Sequence, residues 1–96
     1  MLTIYKYPLT RDYEQKITLP TNHKFLHIAI QDGSVEQMPQ ATLWFMVDTS
    51  YPLTDITIVR VFTGTDMEGK VPGMYLGTVD FDHVGLIVHY FKKETT

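Results

Sequence analysis

The sequence has no cysteine and no long hydrophobic run, and each absence excludes a class of protein. Without cysteine the chain has no disulfide framework, no thiolate zinc site and no thiol nucleophile. The longest apolar runs, residues 43–47 and 86–88, are far shorter than the ~20 residues that cross a bilayer. The first seven residues lack the apolar region of a signal peptide, and Pro8 follows them at once. We therefore expect a cytoplasmic protein with no membrane partner.

Positive charge is also scarce. The 96 residues include 8 Lys and Arg against 11 Asp and Glu, a formal net charge of −3. The cations are scattered, and only Lys92 and Lys93 are adjacent. A long nucleic acid is therefore excluded as a partner, because affinity for it comes from lysine and arginine on the phosphates. A small anion stays open, since an oligomer can focus a few cations into one pocket.

Hydrophobic residues alternate with polar ones along most of the chain, which is typical of β-strands. One strand, for example, is expected to place Leu26 on the same face as Ile28 and Ile30, with His27 on the opposite face. The strands predicted in this way cover residues 3–7, 15–19, 26–30, 42–48, 56–63, 74–81 and 84–91. The short link at residues 82–83 predicts a tight hairpin between the last two.

No window of eleven residues carries the apolar stripe of an amphipathic helix. About seven short strands in a chain of this length predict one all-β domain, residues 1–96, built as a small antiparallel sandwich or barrel. Two predicted loops, residues 32–40 and 64–73, exceed the usual hairpin length of 2–5 residues. Long loops on a compact scaffold often carry binding sites, so both are candidates.

Two of the predicted strands carry large apolar side chains on both faces. Trp44 and Met46 lie opposite one aliphatic face, and Ile87 and Phe91 lie opposite another. A two-layer sandwich needs only one buried face per strand. The spare faces indicate either a barrel or a strand covered by a loop, or else the interface of a homo-oligomer. The pattern favours a barrel or covering loop, on the one hand, and a homo-oligomer interface, on the other, equally.

The sequence does not predict an enzyme, a metal or a cofactor. His27 and His89 lie within strands and could act as an acid–base pair, but a half-buried histidine on a sheet face is the commoner interpretation. The segment Asp80 to His83 could bind a hard cation, although an acidic turn that ends a strand is commoner. No serine has the context of a nucleophile.

Arg60 is the most informative charge, because it lies within an apolar strand. Alternation places it on the face of Ile58 and Phe62. The commoner interpretation is a side chain that snorkels to the sheet edge. Alternatively, its guanidinium pairs with a carboxylate or phosphate, and together with Trp44 and nearby tyrosines it would suit a nucleobase and its phosphate.

The glycine-rich loop that follows Arg60 is a second, weaker signal for a phosphate. Backbone N–H groups near Gly64 and Thr65 could reach an anion. The commoner interpretation is that these glycines form turns. A phosphate-binding glycine loop opens a helix, whereas a strand is predicted to follow this one. The predicted ligand-binding residues are thus Arg60, Trp44, His27, His89, Gly64 and Thr65.

Six ordered blocks together carry a family resemblance: IYKYPL (4–9), ITLP (17–20), KFLH (24–27), LWFMVD (43–48), VFTGT (61–65) and YLGT (75–78). The chain resembles a family of short proteins of unknown function encoded by tailed bacteriophages. The resemblance covers nearly the whole chain. It departs from the family pattern in residues 34–40, which look longer than usual, and in the charged residues 66–70.

The resemblance implies a small phage accessory protein that acts in the host cytoplasm. Such proteins often neutralise a host factor by binding it. We therefore expect a non-enzymatic counter-defence or host-takeover factor, a homo-oligomer that binds and sequesters a small nucleotide-like anion. The alternatives are a module that docks on a host protein and a self-associating structural or assembly protein.

Overall fold

Seven β-strands and no helix form the described part of the chain. The computed structural model describes residues 1–31, 40–81 and 85–93. In chain order the strands are β1 (Leu2–Pro8), β2 (Glu14–Pro20), β3 (His23–Gln31), β4 (Gln40–Asp48), β5 (Leu53–Phe62), β6 (Gly73–Phe81) and β7 (Leu86–Lys93). The predicted all-β class is confirmed. A helix long and apolar enough to cross a membrane does not occur in the described ranges.

The strands form two antiparallel sheets, as a small sandwich requires. Sheet A has the order β1-β4-β3, and sheet B has the order β2-β5-β7-β6. No ladder between described strands closes the sheets into a barrel. The sheets come close where β3 faces β6, since a Cβ on Gly77 would overlap Cγ2 of Ile28. Glycine at position 77 therefore allows this approach.

The core lies between the sheets, and an aromatic cluster in the middle of sheet A forms one part of it. Phe45 in β4 is 1% exposed, and three rings pack edge-on against it. The ring centroids of Tyr7, His23 and Phe25 lie 5.9, 5.6 and 5.6 Å from that of Phe45. Aromatic rings favour this edge-to-face arrangement, because it brings the positive ring edge to the negative face.

A β-bulge changes which residues of β3 face the core. The predicted face of Leu26, Ile28 and Ile30 is wrong at Leu26. The register shifts between Phe25 and His27, so Phe25 packs against the core while Leu26 is 42% exposed. A bulge inserts one extra residue into a strand, and alternation cannot continue through it.

The strand ends follow the prolines and depart slightly from the prediction. Pro8 and Pro20 are the last residues of β1 and β2, as expected for a residue with no N–H to donate to a ladder. The last strand begins at Leu86 and runs to Lys93, rather than spanning residues 84–91. It pairs with β6 as predicted. The link at residues 82–83 and most of the loop at 32–40 lie outside the described residues.

The two sheets differ on their outer faces. Val59 and Val61 point outward from sheet B, yet they are only 2% and 5% exposed, because residues 65–72 fold back beside them. No described residue covers the outer face of sheet A in this way. There Ile4 is 57% exposed, and Trp44 is half-buried beside it. This loop covers the outer face of β5. The two spare faces predicted from the sequence lie elsewhere, on β4 at Trp44 and Met46 and on β7, where Ile87 is 43% exposed.

Candidate functional site

Arg60 lies on the inner face of sheet B, as alternation predicts. It is opposite Tyr90 of β7 in the ladder, and Tyr90 is 2% exposed. The guanidinium carbon of Arg60 lies 5.0 Å from the ring centroid of Phe62, close enough for a cation–π contact. Arg60 is thus held between an aromatic ring on its own strand and a phenol on the next.

The Arg60 guanidinium is not fully satisfied. Its Nε is buried and has no hydrogen-bond partner. Leaving a buried donor unpaired costs about 1–3 kcal/mol, and more for a charged group. Arg60 also forms no ion pair with the described carboxylates. Among the described residues, the Arg60 charge is therefore met by the Phe62 ring and the Tyr90 hydroxyl but by no carboxylate.

The inner faces carry a second cation and no carboxylate in the described strands. Lys92 follows Tyr90 on the inner face of β7 and is half-buried, opposite Ile58. The acidic residues of the strands all point outward: Glu14, Asp48, Asp55 and Asp80. In a protein with a net charge of −3, the charged side chains that the described strands bring to the inner faces are thus both positive.

Burial and a neighbouring charge both shift the pKa of the Tyr90 phenol. Burial raises the pKa of Tyr90 above its ordinary value, and the charge and hydrogen bond of the Arg60 guanidinium partly oppose that rise. Desolvation disfavours the phenolate, while a nearby cation favours it. Tyr90 therefore stays neutral at physiological pH and presents a hydroxyl beside the guanidinium.

Trp44 and His27 do not join Arg60. Both lie on the outer face of sheet A, where their ring centroids are 5.8 Å apart. The prediction that Arg60 and Trp44 share one site within a chain is therefore not met. The strand assignment was right, but Trp44 alternates with the core residues of β4 and so points away from the inter-sheet space.

His89 lies on the outer face of sheet B, on the opposite side of the molecule from His27. Its Nε2 lies 2.8 Å from Oγ1 of Thr63, and its Nδ1 lies 2.8 Å from Oγ1 of Thr78. Thr78 also hydrogen-bonds to the Tyr75 hydroxyl. This chain of hydroxyl groups fixes the His89 ring, and the two outer-face histidines do not form an acid–base pair within one chain.

Gly64 and Thr65 form the turn that follows β5. Gly64 has a φ of 89°, which favours glycine, and the Thr65 N–H donates to the carbonyl of Phe62. These two residues therefore have a structural role in turning the chain. They follow Arg60 closely in sequence. The Thr65 N–H already donates to the Phe62 carbonyl and is therefore not free to bind an anion.

The described residues include no cluster of three or more metal-ligating side chains. His23 and His27 are separated by three residues, a spacing that can hold a metal on a helix. In β3 the bulge places His23 against the inner-face Phe45 ring and His27 on the outer face. Asp82 and His83, part of the predicted acidic turn, lie outside the described residues.

Tyr90 and Lys92 are the site residues that the sequence prediction missed. Alternation along β7 could have placed both on one face, since they are two residues apart. The sequence does not indicate which strand lies beside β5. Strands β5 and β7 are neighbours although β6 separates them in the chain, and only that pairing brings Tyr90 to Arg60.

Residues 1–96 match the family model of a domain of unknown function (DUF7352), and the chain belongs to that family. No curated protein and no solved structure matches the chain.

Proposed function

We propose that this protein is a small phage-encoded binding protein that takes up a nucleotide-like anion at Arg60, without turning it over. In the host cytoplasm it would act as a counter-defence or host-takeover factor by sequestering that ligand. The phage origin rests on the resemblance of the six sequence blocks. The ligand class rests on one observation: the Arg60 guanidinium lies on the inner face of sheet B, and its buried Nε has no hydrogen-bond partner.

A phosphate would supply what Arg60 lacks. The planar guanidinium presents five donors in a fork that matches phosphate oxygens in pairs. An anion there would accept from the unpaired Nε and neutralise a charge that no described carboxylate meets. A buried donor without a hydrogen-bond partner is uncommon in folded proteins, which favours a ligand over a purely structural arginine.

The groups around Arg60 also suit the rest of a nucleotide. Phe62 is 37% exposed and offers a ring on which a base could stack. The Tyr90 hydroxyl lies beside the guanidinium, and Lys92 adds a second positive charge two residues along the same face. An anion with an aromatic group therefore fits better than an inorganic ion alone.

A homo-oligomer would complete such a site. The three other predicted positions, Trp44, His27 and His89, lie on the outer faces, so they can reach a ligand at Arg60 only from a second copy. A ligand shared between copies would also explain how so small a domain encloses a nucleotide. The oligomeric state is therefore the first property to measure.

The test is a thermal-shift panel of cyclic and ADP-ribose-type nucleotides on the wild type, Arg60→Met and Arg60→Lys. Lys16→Met is the matched control, because Lys16 is an exposed cation on the outer face of sheet B. At 100 times Kd a ligand adds about 2.7 kcal/mol, or roughly 10–20 °C for a domain of this size. We expect that shift in the wild type and Lys16→Met, a smaller one in Arg60→Lys and none in Arg60→Met.

Two results would contradict the proposal. If no nucleotide stabilises the wild type, the protein does not sequester this class of ligand. If a nucleotide stabilises Arg60→Met as much as the wild type, the ligand does not bind at Arg60. Conversion of a nucleotide to product in the same samples would show that the protein is an enzyme, and His27→Ala and His89→Ala would then be the first variants to make.

Self-association through the outer face of sheet A is a second candidate function. Leu2, Ile4 and Leu26 are 66%, 57% and 42% exposed there, around the half-buried Trp44 and Met46. The face also carries both signs of charge, Lys24 and Asp48, so a second copy related by a two-fold axis could match apolar centre with apolar centre and cation with anion.

Light scattering on the wild type and Met46→Lys tests this candidate. A dimer or larger assembly that Met46→Lys dissociates would support it. The matched control is Thr57→Lys, which places the same charge on the outer face of sheet B. A wild-type monomer would exclude self-association and leave docking on a host protein as the use of this face.

A further inference from the structure

A row of hydrogen-bonded side chains crosses the outer face of sheet B, on the other side of the sheet from Arg60. His89 of β7 is paired with Thr78 of β6 and with Val61 of β5. Thr63 lies two residues beyond Val61 and points to the same face, where it contacts the His89 ring. The order of the strands therefore brings together three side chains that are far apart in the sequence.

The His89 ring is held by a hydroxyl group at each nitrogen. Its Nε2 lies 2.8 Å from Oγ1 of Thr63, and its Nδ1 lies 2.8 Å from Oγ1 of Thr78. Thr78 is held in turn by the hydroxyl of Tyr75. Because a hydroxyl group can both donate and accept, both contacts persist whether the ring is neutral or protonated. The ring can therefore take up a proton at Nε2 and keep its orientation.

This arrangement is the one that activates a hydroxyl nucleophile. Such a site needs a hydroxyl within about 2.6–3.2 Å of a base, and a third group that orients the base. In the tautomer with hydrogen on Nδ1, the His89 ring donates to Thr78 and accepts the O–H of Thr63 at Nε2. Thr63 is then the nucleophile, His89 is the base, and Thr78 is a positioning residue.

The turn that follows Thr63 offers a donor for the negative charge that develops on a carbonyl oxygen under attack. The N–H of Gly64 forms no hydrogen bond with the described residues. A Cβ at this position would meet no heavy atom within 4 Å beyond its chain neighbours, so the turn is open. In hydrolases with a serine nucleophile, the N–H of the residue after the nucleophile often binds the oxyanion. The Gly64 N–H follows Thr63 in the same way.

The surroundings of the two hydroxyl groups indicate the class of substrate. Thr63 and Thr78 are exposed, so a small molecule in solution can reach them. Tyr75 is 57% exposed, and its ring lies edge-on to that of Phe91, with 5.6 Å between the centroids. An exposed ring at this point can pack against an aromatic group of the substrate. The face therefore suits a small ester with an aromatic leaving group.

We infer that Thr63 and His89 form a catalytic pair that hydrolyses small aryl esters. Oγ1 of Thr63 attacks the ester carbonyl carbon while its proton moves to Nε2 of His89, and the oxyanion accepts from the Gly64 N–H. The bond between the acyl carbon and the aryl oxygen then breaks, and the phenol leaves with the proton from His89. Water attacks the acyl-threonine in the same way, which restores Thr63 and releases the acid. The inference does not rest on the proposed nucleotide site.

The probe is para-nitrophenyl acetate, with two readouts from the same samples. Absorbance follows the release of nitrophenolate, and mass spectrometry of acid-quenched protein locates the acetyl group. We expect an acetyl group on Thr63 in the wild type. Thr63→Val and His89→Ala should each lower the protein-catalysed rate about 100-fold, the lower end of what a positioned acid–base group contributes. Thr63→Ser keeps a hydroxyl and should stay active.

Three further variants make the test specific, and far-UV circular dichroism checks the fold of each. Thr57→Val is the matched control, because Thr57 lies on the same outer face but pairs with Lys16 of β2, and it should keep the wild-type rate. Thr78→Val should lower the rate, and Thr78→Ser should restore it. The inference is overturned if Thr63 is not acetylated, if Thr63→Val or His89→Ala keeps the wild-type rate, or if Thr57→Val loses as much activity as Thr63→Val.

Discussion

The two sheets use their faces in opposite ways. The inner face of sheet A is aromatic and aliphatic around Phe45, and its outer face exposes apolar side chains such as Ile4 near the half-buried Trp44. Sheet B brings Arg60 and Lys92 to its inner face, and a loop covers part of its outer face over Val59 and Val61. The groups proposed to bind an anion are therefore all in sheet B.

The two sheets therefore differ in what their inner faces carry, which is aromatic and aliphatic packing in sheet A and positive charge in sheet B. Sheet A supplies the aromatic cluster around Phe45, and its described strands bring no Lys, Arg, Asp or Glu to the inner faces. Sheet B holds a partly buried guanidinium with an unpaired Nε, an arrangement that costs stability. Natural proteins keep such costs mainly where a ligand removes them.

The largest expected effect tests the structural role of sheet A. Phe45→Ala should lower the free energy of unfolding by about 3–5 kcal/mol, because it removes a buried ring and leaves a cavity among three others. Met46→Ala, the outward neighbour, should cost about 1 kcal/mol or less. Equilibrium urea unfolding measures both, and equal losses would show that the two faces of sheet A do not differ as described.

A smaller effect is expected where the sheets meet. Gly77→Ala should destabilise by about 1–3 kcal/mol, since the new Cβ overlaps the Ile28 side chain and forces repacking. In an Ile28→Ala background the added cost of Gly77→Ala should fall well below its cost in the wild type. If the two losses simply add in urea unfolding, β3 and β6 are not in the contact described.

The smallest expected effect concerns Tyr90 at alkaline pH. Its pKa in the folded state is raised above the ordinary 10.0 by burial, so the folded protein keeps the phenolic proton after the unfolded chain has lost it. Tyr90 therefore contributes full stability below about pH 10 and progressively less as the pH rises toward the folded-state pKa.

Urea unfolding at about pH 9 and about pH 11 measures that loss in the wild type and Tyr90→Phe. The variant should lose less stability between the two values, because it has no phenol to ionise. Tyr7→Phe is a parallel case in sheet A and should change the loss in the same direction, since burial also raises the pKa of Tyr7. An identical loss in the wild type and Tyr90→Phe would contradict the burial described for Tyr90.

The architecture could be predicted because alternation is local. Each of the seven strands shows its pattern within five to eight residues, and prolines mark two of the ends. Leu26 was misplaced because a bulge interrupts alternation without a sequence signal of its own. At the second bulge, Leu76 is 7% exposed while the preceding Tyr75 is 57% exposed.

The candidate site could be predicted only in part, because its residues come together through strand order. Alternation along β5 is enough to predict that Arg60 and Phe62 share a face. Tyr90 and Lys92 required the pairing of β5 with β7, two strands that are not consecutive in the chain. Within one chain Trp44 and Arg60 lie on different faces, which the sequence could not show, because the pattern indicates which residues share a face but not which faces meet.

The most direct test compares the stability of the wild type and Arg60→Met with and without sodium pyrophosphate, against sodium chloride at the same ionic strength. Without pyrophosphate we expect the variant to be as stable as the wild type within about 1 kcal/mol, or more stable, since a partly buried charge whose Nε has no hydrogen-bond partner has been removed. Pyrophosphate should stabilise only the wild type. An equal gain in both proteins, or a loss of about 3 kcal/mol in Arg60→Met without the anion, would show that Arg60 is a structural residue.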